Sequence, residues 1–165
     1  MRRSTWGAAA LLGALAVAPP ARAQQYLIGA DASLSSGVEG GGAEGFYRAR
    51  TRLRLGADLR VDEFPDDILE ASLLAEIEPR SGIGADVRYA RMAGDHIVFD
   101  AGVLAIVAPA SLYGVSGGVT YRLPLSKRVQ ITFGPEADFF FLGTDLPNAT
   151  IIWQVRVNGG VRVEL

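Results

Sequence analysis

Cysteine is absent from all 165 residues, which removes disulfides, thiolate nucleophiles and thiolate metal ligands from any account of this chain. Histidine occurs once, at position 96 beside Asp95. A general base needs a positioned partner within hydrogen-bond reach; His96, next to the turn Ala93-Gly94-Asp95, reads as a solvated turn residue. Nowhere do His, Cys and carboxylates fall at metal-ligand spacing, so no metal and no cofactor is expected. Gly40-Gly41-Gly42 has neither a Lys nor a following helix, which excludes a phosphate loop. Asn148-Ala149-Thr150 matches a glycosylation triplet, a signal too short to carry a reading by itself. Beyond the N-terminus, charges interrupt every apolar stretch within about a dozen positions, too soon for a transmembrane helix of roughly 20 residues.

What is present begins with an export signal. Arg2 and Arg3 precede the apolar run from Ala8 to Val17, and Ala21-Arg22-Ala23 puts small residues at minus three and minus one. Cleavage is expected after Ala23, making 1–23 a signal peptide and 24–165 a one-domain mature chain of 142 residues. No Cys follows the run, so a lipid-anchored form is excluded. Without Arg2, Arg3 and Arg22, 13 basic residues face 18 acidic ones, a net charge of −5. Nucleic acid, which requires a concentrated basic patch, is excluded as a partner.

The mature chain alternates apolar and polar residues with period two, the mark of half-buried strands. Eight are expected: 25–34, 46–61, 68–78, 83–92, 96–107, 112–123, 128–141 and 150–165. The second is plainest, with Tyr47, Leu53, Leu55, Leu59 and Val61 on one face and Arg48, Arg50, Arg52, Arg54, Asp58 and Arg60 on the other. Residues 37–45 read as a Gly-rich loop, and Pro135 as the site of a bulge. Residues 68–78, rich in Ala, Leu and Glu and ending at Pro79, also read as a short helix on local propensity. Charge pairing favours a strand there. A hairpin around residues 62–67 can set Arg60 against Glu70, Arg54 against Glu76 and Arg52 against Glu78, and opposite charges across an antiparallel pair are favourable. The last hairpin can likewise set Glu136 against Arg156 and Arg128 against Glu164.

A soluble barrel hides its apolar face, whereas a membrane barrel turns that face to lipid and keeps charges inside. Sheets in lipid must also close, because an open edge leaves backbone groups without partners. The aromatic positions decide between the two. Tyr26, Tyr89, Phe99 and Tyr121 fall near one set of strand ends, and Tyr47, Tyr113, Phe139, Phe141 and Trp153 near the other, as belts at two membrane interfaces would. Arg91 would reach for headgroups at the boundary. The fold class read from this pattern is all-β, an eight-stranded antiparallel up-and-down transmembrane β-barrel.

This pattern over nearly all of the mature chain resembles the small outer-membrane barrels of the OmpA/OmpX-like class, including the opacity-type surface proteins. Gly160, Val163 and Leu165 are similar to the terminal insertion signal of that class, although its members usually end in an aromatic residue. The resemblance implies the Gram-negative outer membrane as location, its lipids and the barrel assembly machinery as partners, and a monomer. No His-x-Ser arrangement like that of the outer-membrane lipid A deacylases is present.

An eight-stranded barrel is only wide enough for its own side chains. Its interior is therefore expected to be plugged by Arg52, Arg54, Arg60, Glu70, Glu76, Glu78, Arg128, Glu136, Arg156 and Glu164, with Leu74 and Phe140. Truncation of Arg54 should then cost a few kcal/mol through its stranded partner. The function expected is structural or surface-interacting, without covalent chemistry. The alternatives are a soluble lipocalin-like periplasmic carrier of a hydrophobic ligand, a narrow channel, or a lipid-modifying enzyme whose site the sequence does not display.

Overall fold

A computed structural model describes residues 26–41, 46–61, 64–78, 80–146 and 150–165. The expected signal peptide lies outside these residues, as do most of the glycosylation triplet and the tips of several expected loops. Eight strands follow one another: β1 (Tyr26–Gly41), β2 (Phe46–Val61), β3 (Phe64–Glu78), β4 (Gly82–Ala93), β5 (Ile97–Ala108), β6 (Leu112–Pro124), β7 (Val129–Gly143) and β8 (Ile152–Glu164). Each pairs antiparallel with the next, and β8 pairs with β1 to close an up-and-down barrel. The described residues contain no helix. β1 starts and β8 ends at the same rim, called here the terminal rim; the other is the far rim.

The period-two pattern explains which way each side chain points, because successive Cβ atoms alternate across a strand. Leu55, Leu73, Val103, Val115 and Val157 stand on the outer wall and are exposed, while Arg52, Asp86, Arg88, Glu136, Asp138 and Arg156 are buried within. Residues 68–78 are strand throughout, so the helical propensity of their Ala, Leu and Glu is overridden by pairing on both sides.

Three expectations are corrected. Gly37–Gly41 belong to β1, paired with Arg50 to Phe46 on one side and with β8 on the other; glycine weakens a strand locally, but neighbours on both edges hold it. β3 begins at Phe64, inside the expected turn. Pro135 makes no bulge. It lies opposite Val157, and the β6–β7 ladder keeps one register from Gly118↔Glu136 to Tyr121↔Phe133 without an inserted residue. The shift in that ladder occurs instead at Tyr113/Gly114.

The β2–β3 ladder is two residues out from the expected one: Arg52 faces Glu76, Arg54 faces Leu74, Asp58 faces Glu70 and Arg60 faces Ile68. A slip of two leaves every residue on its original face, so the apolar wall is unchanged while each charge meets a different neighbour.

Candidate functional site in the barrel interior

Among the described residues the inward positions hold nine arginines and ten carboxylates joined by ion pairs, and these fall into two layers. Nearer the far rim, Glu39 accepts from Arg48 Nε and Arg50 Nε at 2.5 Å each and from Gln154 Nε2 at 2.7 Å. Glu76 accepts from Arg50 Nη1 at 2.8 Å and Arg52 Nη2 at 2.7 Å. Arg52 also donates to Asp138 at 2.7 Å, and Arg156 donates to Asp138 at 2.6 Å, to Glu136 at 2.9 Å, to Ser35 at 3.1 Å and to Gln154 Oε1. Arg88 continues the layer with bonds to Asp86 at 2.8 Å and Asp100 at 3.0 Å.

Toward the terminal rim the pairing is sparser. Arg162 grips Asp58 through two bonds of 2.9 and 2.7 Å and reaches Glu164 at 2.9 Å. Arg60 meets Glu164 at 3.3 Å, and Arg122 meets Glu70 at 3.1 Å. Arg54 stands between the layers, 3.9 Å from Asp31, 3.8 Å from Asp86 and 4.0 Å from Glu136.

Two apolar clusters also face inward. Leu74, Leu104, Ile106, Leu112, Phe140 and Ile152, with Phe46 and Leu146 against them, fill the far half beside the dense ion layer. Ile68, Ala90 and Val98, with Met92, form a smaller patch at the terminal end.

The expected partners are thus largely rearranged. Arg54 does not reach Glu76, Arg60 takes Glu164 in place of Glu70, and Glu70 is held across the interior by Arg122. Glu78 is exposed, because the β2–β3 register shifts at Thr51/Arg52 and takes the end of β3 out of the alternation. Arg128 is exposed in the turn before β7; its backbone carbonyl accepts from the Glu164 amide at 2.8 Å, while the Glu164 side chain turns to Arg60 and Arg162. Glu136 and Arg156 lie directly opposite each other and are bonded.

The interior holds more charges than the ten expected. Arg50, Asp58, Asp86, Arg88, Asp100, Arg122, Asp138 and Arg162 all occupied the polar phase of their strands, so the signal was available. Glu39 had none, because it sits in a run that looks like a flexible loop.

The expected belt residues line the outer wall. Tyr47, Tyr113, Phe139 and Phe141 are exposed near the far rim, where Tyr47 meets Trp153 edge-on at 5.9 Å. Tyr89, Phe99 and Tyr121 are exposed near the terminal rim; Tyr121 packs on Phe133 at 5.2 Å and stacks on His96 at 5.6 Å. Tyr26 opens β1, and its side chain lies outside the described residues. Tyr89 donates its hydroxyl to Asp67 at 2.7 Å, and exposed Arg91 lies 3.8 Å from the same carboxylate. Among the described residues no group of His, Asp and Glu could hold a metal ion.

No family model matches the chain, and no curated protein matches it. Among solved structures it is similar to the crystal structure of Neisserial surface protein A (NspA), at 15% identity and a TM-score of 0.47, over 85% of this chain and 97% of that one.

Proposed function

We propose that the chain is an integral outer-membrane barrel with a structural or surface-interaction role, exported with loss of residues 1–23, and that its interior is a side-chain plug of mutually neutralising ions. The observation that carries this reading is inverted polarity. The outer wall between the aromatic belts is almost wholly Leu, Val, Ile and Ala, whereas Asp138, Gln154, Arg156 and Glu39 are sealed inside. Water-soluble monomers rarely expose contiguous apolar patches beyond a few hundred Å², and a wall apolar all the way round is stable only against lipid. Strands of 12–16 residues exceed the roughly 9–11 that a tilted strand needs to cross a bilayer.

The same polarity argues against the carrier. A lipocalin-like protein keeps an apolar hollow for its ligand, and here the centre is filled by bonded guanidinium and carboxylate groups. Among the described residues the interior joins no nucleophile, base and water-excluded cleft, and the reading includes no covalent chemistry. The barrel is expected to act as a monomer, with outer-membrane lipids around it and the barrel assembly machinery reading its last strand.

Fractionation tests the proposal. The protein should stay with membranes through osmotic shock and an alkaline wash, leave only with detergent, and run at different positions on gels before and after boiling. Release by osmotic shock alone would overturn it.

A further inference from the structure

The two ends of the interior differ in how far water reaches. At the far rim the Arg48 side chain is 33% exposed, yet its partner Glu39 is at 0%, so solvent stops within a single ion pair. At the terminal rim Glu164 is 27% exposed and Arg162 and Asp58 behind it are at 2%, yet exposure returns deeper in, at 16% for Asp31 and 15% for Arg54, before falling to 0% at Asp86.

The terminal half surrounds a cavity of about 20 Å³, whose lining includes Arg54, Arg122, Arg162, Asp31, Glu70 and Asp100. Arg122 is nine-tenths buried or more, and its Nε and Nη1 make no hydrogen bond within the described residues; the same holds for Arg54 Nε and Nη1. Free donors here stand near carboxylates that are not saturated, most plainly Asp31, 3.9 Å from Arg54. That separation is too long for a hydrogen bond, and a space of this size in a polar lining is enough for a water.

Charge selects the occupant. An anion would satisfy the guanidinium groups but would face Asp31, Asp58, Glu70 and Asp100. A cation would suit the carboxylates but would meet the unpartnered N–H groups. Water both donates and accepts, so it suits a space lined by both signs of charge.

We infer that the terminal half of the barrel is a blind aqueous pocket, entered by water from the rim that carries the termini and closed at the layer of Arg54, Asp86 and Glu136. Beyond that layer the bonded ions and the Leu104–Phe140 cluster fill the interior, and a separate space of similar size opens at the far rim beside Arg50, Glu76 and Arg80. The inference rests on the membrane-barrel reading, in which this rim faces the compartment where the termini lie.

The absence of cysteine makes the test clean, since one introduced thiol is the only thiol. Thr132→Cys and Thr120→Cys place it on the pocket wall, Ser116→Cys beyond the closing layer, and Ser126→Cys in the exposed terminal turn. Each variant is folded in detergent, checked by its unboiled gel mobility, and exposed to Ag⁺, a thiol-reactive cation no larger than water. Thiol reactivity follows access, and a sealed thiol reacts only through opening of the barrel. The pocket thiols should therefore react within about tenfold of the Ser126→Cys rate and Ser116→Cys at least about a hundredfold more slowly. Protection of both pocket thiols would overturn the inference by showing a dry interior. Rapid reaction at Ser116→Cys would overturn it by showing a through passage. Failure of the membrane reading would appear earlier and separately, as a protein that folds without detergent.

Discussion

At the scale of the residue, interior arginines are not equivalent. Arg156 is fully buried and bonded to Asp138, Glu136, Gln154 and Ser35, whereas Arg54 makes no bond shorter than 3.8 Å to any carboxylate. Removing one member of a buried pair strands the other in a medium that cannot solvate it, at a cost of about 3–5 kcal/mol. Arg156→Ala should lose stability on that order, measured as a lowered urea midpoint for the folded barrel. Arg54→Ala should cost about 1 kcal/mol, the scale of one net hydrogen bond, because its contacts are long and Asp86 and Glu136 keep closer bonds to Arg88 and Arg156. That is smaller than the loss expected from a contact with Glu76, which Arg54 does not make. A full-sized loss at Arg54 together with none at Arg156 would mean that the two layers are assigned the wrong way round.

At the scale of the element, strand direction was legible and strand partnership was not. Alternation of side chains is a property of one strand, so the outward Leu53, Leu55, Leu73 and Val157 follow from their own segments. Partners depend on register, and a two-residue slip costs the alternation nothing; Arg52 met Glu76 and not Glu78 for that reason alone. The bonds that run across the hollow, Arg122 to Glu70 and Arg162 to Asp58, require the closed barrel, which no local pattern encodes. Elements also meet at glycines. At Gly134 a Cβ would run into the Val119 carbonyl on β6, whereas at outward Gly159 it would touch nothing within 4 Å. Gly134→Ala should therefore destabilise by about 1–3 kcal/mol through overpacking against backbone. Gly159→Ala should leave the urea midpoint unchanged or slightly raised, by up to about 1 kcal/mol. Equal effects at the two sites would contradict the close approach of β6 and β7.

At the scale of the whole molecule, the account turns on a wall of hydrocarbon around a core of ions. Eight strands close with no free edge, which is how a sheet satisfies its backbone in lipid, and the hollow they leave is narrow enough for side chains to fill. Composition and period two together made that architecture readable; the unequal halves of the interior were hidden, since they depend on which charges meet across the centre. The most direct measurement places a nitroxide on Leu73→Cys, mid-wall on β3 and outward-facing, in barrels reconstituted into vesicles. Collisions with oxygen, which concentrates in lipid, should far exceed those with a water-soluble nickel chelate. If the nickel chelate collides as often as it does with a label in the exposed turn at Ser126, the wall faces water and the inverted polarity is wrong.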